Sequence, residues 1–358
     1  MIQPLYTHEQ IMRVRQMLEH AQSVVLLTHQ NPDGDAMGSC LGMYHLISTC
    51  YAHSVRSVRM LIPSVYPNFL SWMPAADQMC VYQEDRAVEM REHILGADLV
   101  ICTDFHEPKR IGALGLYLLE RTKPIMVIDH HLGDSMSDDD AHLSMIFPQA
   151  SSASELVTRL LLEMGVTLTD DMATCLYTGV MTDTGNFEYS SDDPELFKIV
   201  AELLKTGINK NAIYDHVFNS WTVDRLRFVG FCLHERLHIY PEYHAAMIAL
   251  SRKDMYHFNV SSGDTEGIVN LPLKVSDIYY SCFIREDKIL PHERERAGDA
   301  GTKLKISLRS QGDRPVNEFA HDVFSGGGHA NAAGGEFFGE MKQAAQAFIN
   351  ALPKYCKK

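Results

Sequence analysis

The chain has 358 residues, 46% of them hydrophobic and 22% charged, a length and composition that fit two globular domains and exclude extensive disorder. Its 32 Lys and Arg against 46 Asp and Glu give a net charge of -14, which excludes a basic stripe for coating a long polyanion. An anionic substrate has to be small and met by a local positive site.

Taken in chain order, MIQPLYTHEQIM is too mixed for a secretory leader and no run of about 18 apolar residues follows, so a soluble cytoplasmic protein with no membrane partner is expected. The apolar run SVVLLTH at 23–29 predicts a short buried strand, ending in the polar loop QNPDGD before a helical stretch. SVRMLIP, ADLVICTDF and KPIMVIDHH repeat the β-type run, separated by helix-compatible stretches such as IGALGLYLLERT. That alternation predicts an α/β fold whose first domain is a parallel sheet flanked by helices. Loops at the carboxyl ends of such strands share one edge, so His29, Asp104 and Asp129 should converge there. The patch SMSDDDAH (135–142) reads as a solvated loop. From Ser151 the texture is helical: SSASELVTRLLLEMG opens on serine caps, and TDDMATCLYTGVMTDTGNF reads as a helix running into a glycine-containing loop that carries Asp183. After PELFKIVAELLKTG an amphipathic stretch reaches about Tyr240; it divides a domain at 1–225 from one at 241–358, with a connector at 226–240. β-Type runs return at AAMIALS, IYYSCFIRE and KLKISLRS, before SGGGHANAAGGEFF and a closing amphipathic helix, giving a smaller C-terminal α/β domain. The eight cysteines form no CxxC pair and fit reduced, structural thiols.

His29, Asp33 and Asp35 lie close enough on one loop to point into one volume. A carboxylate and imidazole set suits manganese or another first-row dication better than a closed structural zinc site, which favours cysteine. PDGD is also a common turn sequence, and His29 could simply end a strand. Asp104, Asp129 beside His130 and His131, and Asp183 each read alone as a cap or a satisfied polar group. Several acids meeting one edge are costly unless paired, which points to shared cations. The four carboxylates of Asp33, Asp35, Asp104 and Asp183 balance two dications, one acid being able to bridge them, and such a pair turns water into a nucleophile for displacement at phosphorus. In SGGGH, Gly326, Gly327 and Gly328 leave backbone N–H groups open to approach and His329 can donate to a phosphate oxygen, although flexible turns use glycine runs too. Arg285 and Arg309 end β-type runs, either as surface residues or as the planar donor fork that phosphate favours.

In order along roughly residues 15–350, HQNPDGDAMGS, TDFHEPKRIG, VIDHH, VMTDTGNF and SGGGHANAAGG resemble the motifs of the DHH family of phosphoesterases with a DHH-associated C-terminal domain. The resemblance implies an active site in the cleft between two domains. His29, Asp33 and Asp104 would hold one manganese ion, and Asp35, Asp104, His130 and Asp183 the other, with magnesium or cobalt as alternatives. His131 would face the scissile phosphate and Asp129 would orient the histidines, so that His131, Asp129 and Asp104 carry the catalysis. Arg309, Gly326, Gly327, Gly328 and His329, with Arg285 as a looser match, would hold the terminal nucleotide or phosphate. Size and architecture resemble the bifunctional oligoribonuclease and pAp phosphatase group. That implies short single-stranded RNA, linear dinucleotides such as pApA, and pAp as substrates, no long duplex DNA, and a homodimer among the assemblies to expect. Other readings are an exopolyphosphatase or pyrophosphatase-like hydrolase, a cyclic-dinucleotide phosphodiesterase, and a nucleotide sensor without turnover. The charged connection EDKILPHERERAGDAGTK (286–303) is longer than the family leads one to expect and reads as a surface hairpin or a lid; Phe187 and Tyr280 are candidates for stacking a base.

Overall fold

The computed structural model describes residues 2–133, 142–261, 263–287, 289 and 302–356. The acidic patch at 135–142, except His142, and the middle of the charged connection, 288–301 except residue 289, lie outside the described residues. Two compact units divide the chain, Met1–Ser220 and Trp221–Lys358.

In the first unit the strands β1 (Ser23–Leu27), β2 (Ser57–Ile62), β3 (Met79–Val81), β4 (Leu99–Thr103), β5 (Ile125–Asp129) and β6 (Leu143–Ile146) form a parallel sheet in the order β3-β2-β1-β4-β5-β6. Its helices are α1 (His8–His20), α2 (Gly34–Cys50), α3 (Ala87–Gly96), α4 (Ala113–Leu119), α5 (Ala153–Glu163), α6 (Asp170–Asp183), α7 (Pro194–Lys205) and α8 (Lys210–Phe218). The central strands are apolar at nearly every position because both faces are covered. Val24, Leu26, Leu99, Ile101, Met126 and Ile128 pack under α1, α2, α5 and α6; Val25, Leu27, Val100, Cys102 and Val127 pack under α3 and α4. Each such side chain contributes about 1.5–3 kcal/mol by leaving water. From β1 the chain builds outward to β2 and β3, then returns to place β4 on the other side of β1. The loops following β1 and β4 therefore part company, opening a crevice at the carboxyl edge where such sheets bind ligands.

The second unit holds β7 (Leu237–Tyr240), β8 (Ala245–Leu250), β9 (Tyr280–Asp287), β10 (Lys303–Ser310), β11 (Gly327–His329) and β12 (Ala332–Phe338) in a sheet of order β11-β12-β10-β9-β8-β7. Neighbours run antiparallel except β8 and β9. Its helices are α9 (Val223–Glu235), α10 (Arg252–His257), α11 (Asn317–Phe324) and α12 (Met341–Tyr355). Residues alternate along β10: Leu304, Ile306 and Leu308 pack against Phe319 and Phe324 of α11 and Phe348 of α12, while Lys305, Ser307 and Arg309 point to the opposite face. Residues 226–240 are most of α9 followed by β7, regular structure within this unit. Among the described residues no helix is long and apolar enough to cross a membrane.

Candidate metal centre

Three strand ends meet at the crevice. His29 follows β1, Asp104 follows β4, and Asp129 closes β5 with His130 and His131 after it. Asp104 adopts the left-handed conformation (φ 64°) while its N–H still bonds Ile128 O at 3.0 Å. That turn costs an aspartate about 1 kcal/mol and aims its carboxylate back into the pocket instead of along the strand.

Asp104 lies between two groups of donors. Its Oδ2 is 3.1 Å from His29 Nε2, which lies 4.0 Å from Asp33 Oδ2. Its Oδ1 is 3.4 Å from His130 Nε2, which also has Asp35 Oδ2 at 3.7 Å and Asp183 Oδ2 at 3.6 Å. Metal–ligand bonds of about 2.1 Å set neighbouring ligand atoms roughly 3 to 3.5 Å apart, so these separations fit a bound dication. Asp104 Oδ1 is buried without a hydrogen-bond donor, an expensive state unless a cation approaches it. His29 Nδ1 lies 3.0 Å from Gln30 O, and His130 Nδ1 lies 3.3 Å from Ala150 O. A carbonyl can only accept, so each Nδ1 carries its hydrogen and the neutral ring offers the Nε2 lone pair to the carboxylates. Lone pairs facing carboxylates call for a proton or a metal ion.

Secondary structure aims the other ligand candidates. Asp33 caps α2, its Oδ1 accepting from the N–H groups of Asp35 and Ala36 at 3.0 Å, which leaves Oδ2 toward His29. Asp35, in the first turn of α2, accepts from the N–H groups of Ala153 (2.7 Å) and Ser154 (2.8 Å) at the start of α5. Asp183 is the last residue of α6. A close approach of α2 to α6 brings these acids together: a Cβ on Gly34 would sit 2.2 Å from Thr182 Oγ1, and one on Gly38 would sit 2.6 Å from Cys175 O.

The charges show the demand for cations. Burial and the Asp104 and Asp183 charges push the Asp35 carboxyl well up, against the pull of His130 and the Ser154 hydrogen bond. Asp183 is raised by desolvation and by Asp33 and Asp104, with His130 and His29 opposing. Burial works against protonation of His29 and His130, yet their hydrogen bonds and attraction to Asp104 raise both. Asp104 is held well below the usual carboxylate range; burial opposes this, but the pull of His130 and His29 outweighs it.

Behind the pocket, Asp129 Oδ1 accepts from the N–H groups of His130 (2.8 Å) and His131 (3.2 Å) and lies 2.8 Å from His131 Nδ1. Its Oδ2 is 2.5 Å from Nδ1 of His106, a buried residue. His106 Nε2 is buried without a partner, as suits an unprotonated ring atom, so His106 donates to Asp129 from Nδ1. A Cβ on Gly133 would stand 2.3 Å from that Nε2; Gly133 (φ 151°) lets the DHHLG turn fold down over the ring.

The model for the DHH family, N-terminal domain, matches residues 23–180. A solved structure described as an exopolyphosphatase-related protein from Bacteroides fragilis superposes with a TM-score of 0.84 at 37% identity, covering 98% of this chain and 97% of that one. This chain belongs to the DHH family. The bifunctional oligoribonuclease and PAP phosphatase NrnA of Thermus thermophilus is 26% identical over 92% of this chain and 89% of its own length. The probable enzyme of the same description from Streptococcus mutans is 29% identical over 87% and 88%.

Eight of the residues singled out in the sequence of this DHH protein lie together at the crevice, where they could hold metal ions: His29, Asp33, Asp35, Asp104, Asp129, His130, His131 and Asp183. Two details differ from expectation. Asp183 ends a helix, so it belongs neither to a loop nor to a strand end. Phe187 packs partly buried against the core, tilted on Tyr177 and Phe197, whereas Tyr280 is buried in the second unit's core and has no open ring face for a base. In the second unit, strand register sets Arg309 opposite Ala332 and Ala332 opposite His329, which puts Arg309 and His329 on one face; Gly327 pairs with Gly334 beside Ser307. Arg309 Nη1 donates to Leu308 O at 3.0 Å. Gly326 and Gly328 are glycine for packing, since a Cβ on either would strike the backbone of β12, whereas one on Gly327 would meet nothing within 4 Å. His106 is the residue that sequence reasoning missed; its only signal is a histidine two places after Asp104 in the TDFH motif.

Proposed function

We propose that this DHH-family phosphoester hydrolase uses two divalent cations, manganese first among them, to release mononucleotides from short oligoribonucleotides and to remove a phosphate from pAp. The observation that carries the reading is the position of Asp104, one buried carboxylate shared by a His29–Asp33 group and an Asp35–His130–Asp183 group. His29, Asp33 and Asp104 would hold one ion; Asp35, Asp104, His130 and Asp183 would hold the other. Such a pair supplies a low-pKa water and offsets the charge of an in-line displacement at phosphorus. His131, fixed by Asp129, would donate to a phosphate oxygen, and Arg309, His329 and the open Gly327 would hold a neighbouring phosphate. The relatives described as bifunctional oligoribonucleases and PAP phosphatases support the substrate class. A panel of pAp, pApA, five-nucleotide RNA, cyclic dinucleotides and polyphosphate, each with manganese or magnesium, tests it. Faster release from polyphosphate than from pApA would overturn it in favour of the exopolyphosphatase reading, which the description of the Bacteroides fragilis neighbour favours.

Manganese added to chelator-treated protein is expected to raise the Tm by several degrees, more at pH 8 than at pH 6. Asp35, Asp183, His29 and His130 all bind protons more tightly in the metal-free folded state, so the stability they give is lost as pH rises through their raised values. Asp104 and Asp129, held low, lose theirs only in acid, outside that interval. Ion binding offsets the loss, by about 2.7 kcal/mol at a hundred times Kd. Differential scanning fluorimetry at both pH values checks this; equal shifts would contradict it.

His106→Ala should lower kcat by about 10- to 100-fold through the orientation of Asp129 and His131. It also leaves a buried carboxylate oxygen without its donor, at about 1–3 kcal/mol. His106→Asn, which keeps an N–H donor, should recover part of the rate. Steady-state kinetics on pApA decide it, and equal rates for wild type and His106→Ala would remove His106 from this role.

A further inference from the structure

The second unit's sheet carries a second cationic station that the function above does not use. Lys305 on β10 pairs in register with Arg285 on β9, so two cations stand directly opposite on one face. Like charges at such positions destabilise a sheet. The nearby acids are engaged elsewhere: Glu336 with Lys303 at 2.6 Å and Asp287 with Arg285 at 3.9 Å. Lys305 has no ion pair or hydrogen bond among the described residues, although its side chain is half-buried. Burial and the neighbouring Arg285 and Lys303 lower its pKa, against the pull of Asp287 and Glu336. Across the three strands this face carries Lys303, Lys305 and Arg285 against Asp287 and Glu336, the latter opposite Lys305 in register but held by Lys303, so among the described residues one cation is in excess.

Strand geometry fixes how this pair relates to Arg309. Lys305, Ser307 and Arg309 alternate onto the same face, and four residues of β strand place Lys305 and Arg309 about 13 Å apart. One nucleotide step cannot cover that distance; two can. Between them the face carries Ser307, flanked on β9 by the buried Phe283 and on β12 and β11 by Gly334 and Gly327, so the glycine side is the one without a large side chain.

We propose that Lys305 and Arg285 form a binding station for a further phosphate of an oligonucleotide, two nucleotide steps from the phosphate held at Arg309. This rests on the reading above that Arg309 holds a phosphate. It makes trinucleotides and longer chains, with three or more phosphates, the substrates that use the whole face.

The test is equilibrium binding of pAp, pApA, pApApA and tripolyphosphate to the full-length protein with chelator present, as a function of salt, for wild type, Lys305→Gln and Lys305→Arg. Expected for wild type is a gain of about fivefold or more from pApA to pApApA, with the log–log salt slope steepening by about 0.7 for the added contact. The gain should vanish in Lys305→Gln and survive in Lys305→Arg. A wild type without gain at the third phosphate overturns the station, and so does a gain that persists in Lys305→Gln. A Lys305-dependent gain seen with tripolyphosphate alone overturns the assignment to oligonucleotides. The wild-type slope decides the matter even if a variant fails to fold. Turnover of pApA with manganese, measured separately, tests the function itself, so failure of either reading is told apart from failure of the other.

Discussion

Asp104→Asn is expected to abolish turnover of pApA, by about a thousandfold or more, and to remove bound dication while the protein stays folded. Asparagine has the shape of aspartate and tolerates the left-handed backbone that position 104 requires (φ 64°). Its buried side chain can still meet His29 at 3.1 Å by donating or accepting. What disappears is the charge that both donor groups share, and with it the means to hold two dications side by side. Loss of one member of a set that acts together costs nearly as much as loss of the whole set, hence the size of the effect. Removing the charge relieves repulsion with Asp35 and Asp183 but also ends the attraction to His29 and His130 that holds the Asp104 carboxyl low, so the metal-free variant should melt somewhat lower than metal-free wild type while still unfolding cooperatively. Metal analysis after gel filtration, single-turnover kinetics and thermal melts check the three parts. Retained manganese with full activity would show that Asp104 is not the shared ligand.

The pocket was legible in the sequence because a doubly covered parallel strand leaves a plain mark. SVVLL, LVICT and IMVID are apolar at almost every position, and the polar residues that end them, His29, Asp104 and Asp129, are the ones that reach the crevice. What sets these ends side by side is strand order, which depends on contacts between distant segments and has no local signature. Short strands were illegible for a related reason: Met79–Val81 and Leu143–Ile146 are too brief to show a period. Asp183 lies beside His130 but its place is misread from sequence, since VMTDTGNF reads as loop at Asp183 until α6 is seen to carry it on its last turn. An aromatic that packs and an aromatic that stacks on a base look alike in sequence, which is why Tyr280 misled. The same holds for His106, whose meaning lies in a carboxylate 23 positions away.

The glycines of α2 carry the second large effect. Gly34, Gly38 and Gly42 recur every four residues, so they line one side of the helix, and α6 lies against that side. At Gly38 a Cβ would come within 2.6 Å of Cys175 O and 3.0 Å of the Gly179 Cα; both are backbone atoms, which cannot turn aside as a side chain can. Gly38→Val therefore has to drive the two helices apart. Overpacking costs about 1–3 kcal/mol where a core can adjust, and about 3 kcal/mol or more is expected here. The consequence reaches the chemistry, because Asp35 stands one turn before Gly38 and Asp183 one turn after Gly179. Displacing α6 from α2 pulls Asp183 away from Asp35 and His130, while Asp33, which caps α2, stays with His29 and Asp104. Gly38→Val should accordingly lose one of two manganese ions and about 100-fold in kcat at temperatures where it is still folded. Gly230→Ala is the matched contrast: it lies in α9 with open space around its Cβ, and should stabilise by about 0.5–1 kcal/mol without touching the metal count. Urea denaturation and metal stoichiometry of the two variants check the pair. Two tightly bound ions in Gly38→Val would mean that the close approach of α2 to α6 does not set the spacing of the ligands.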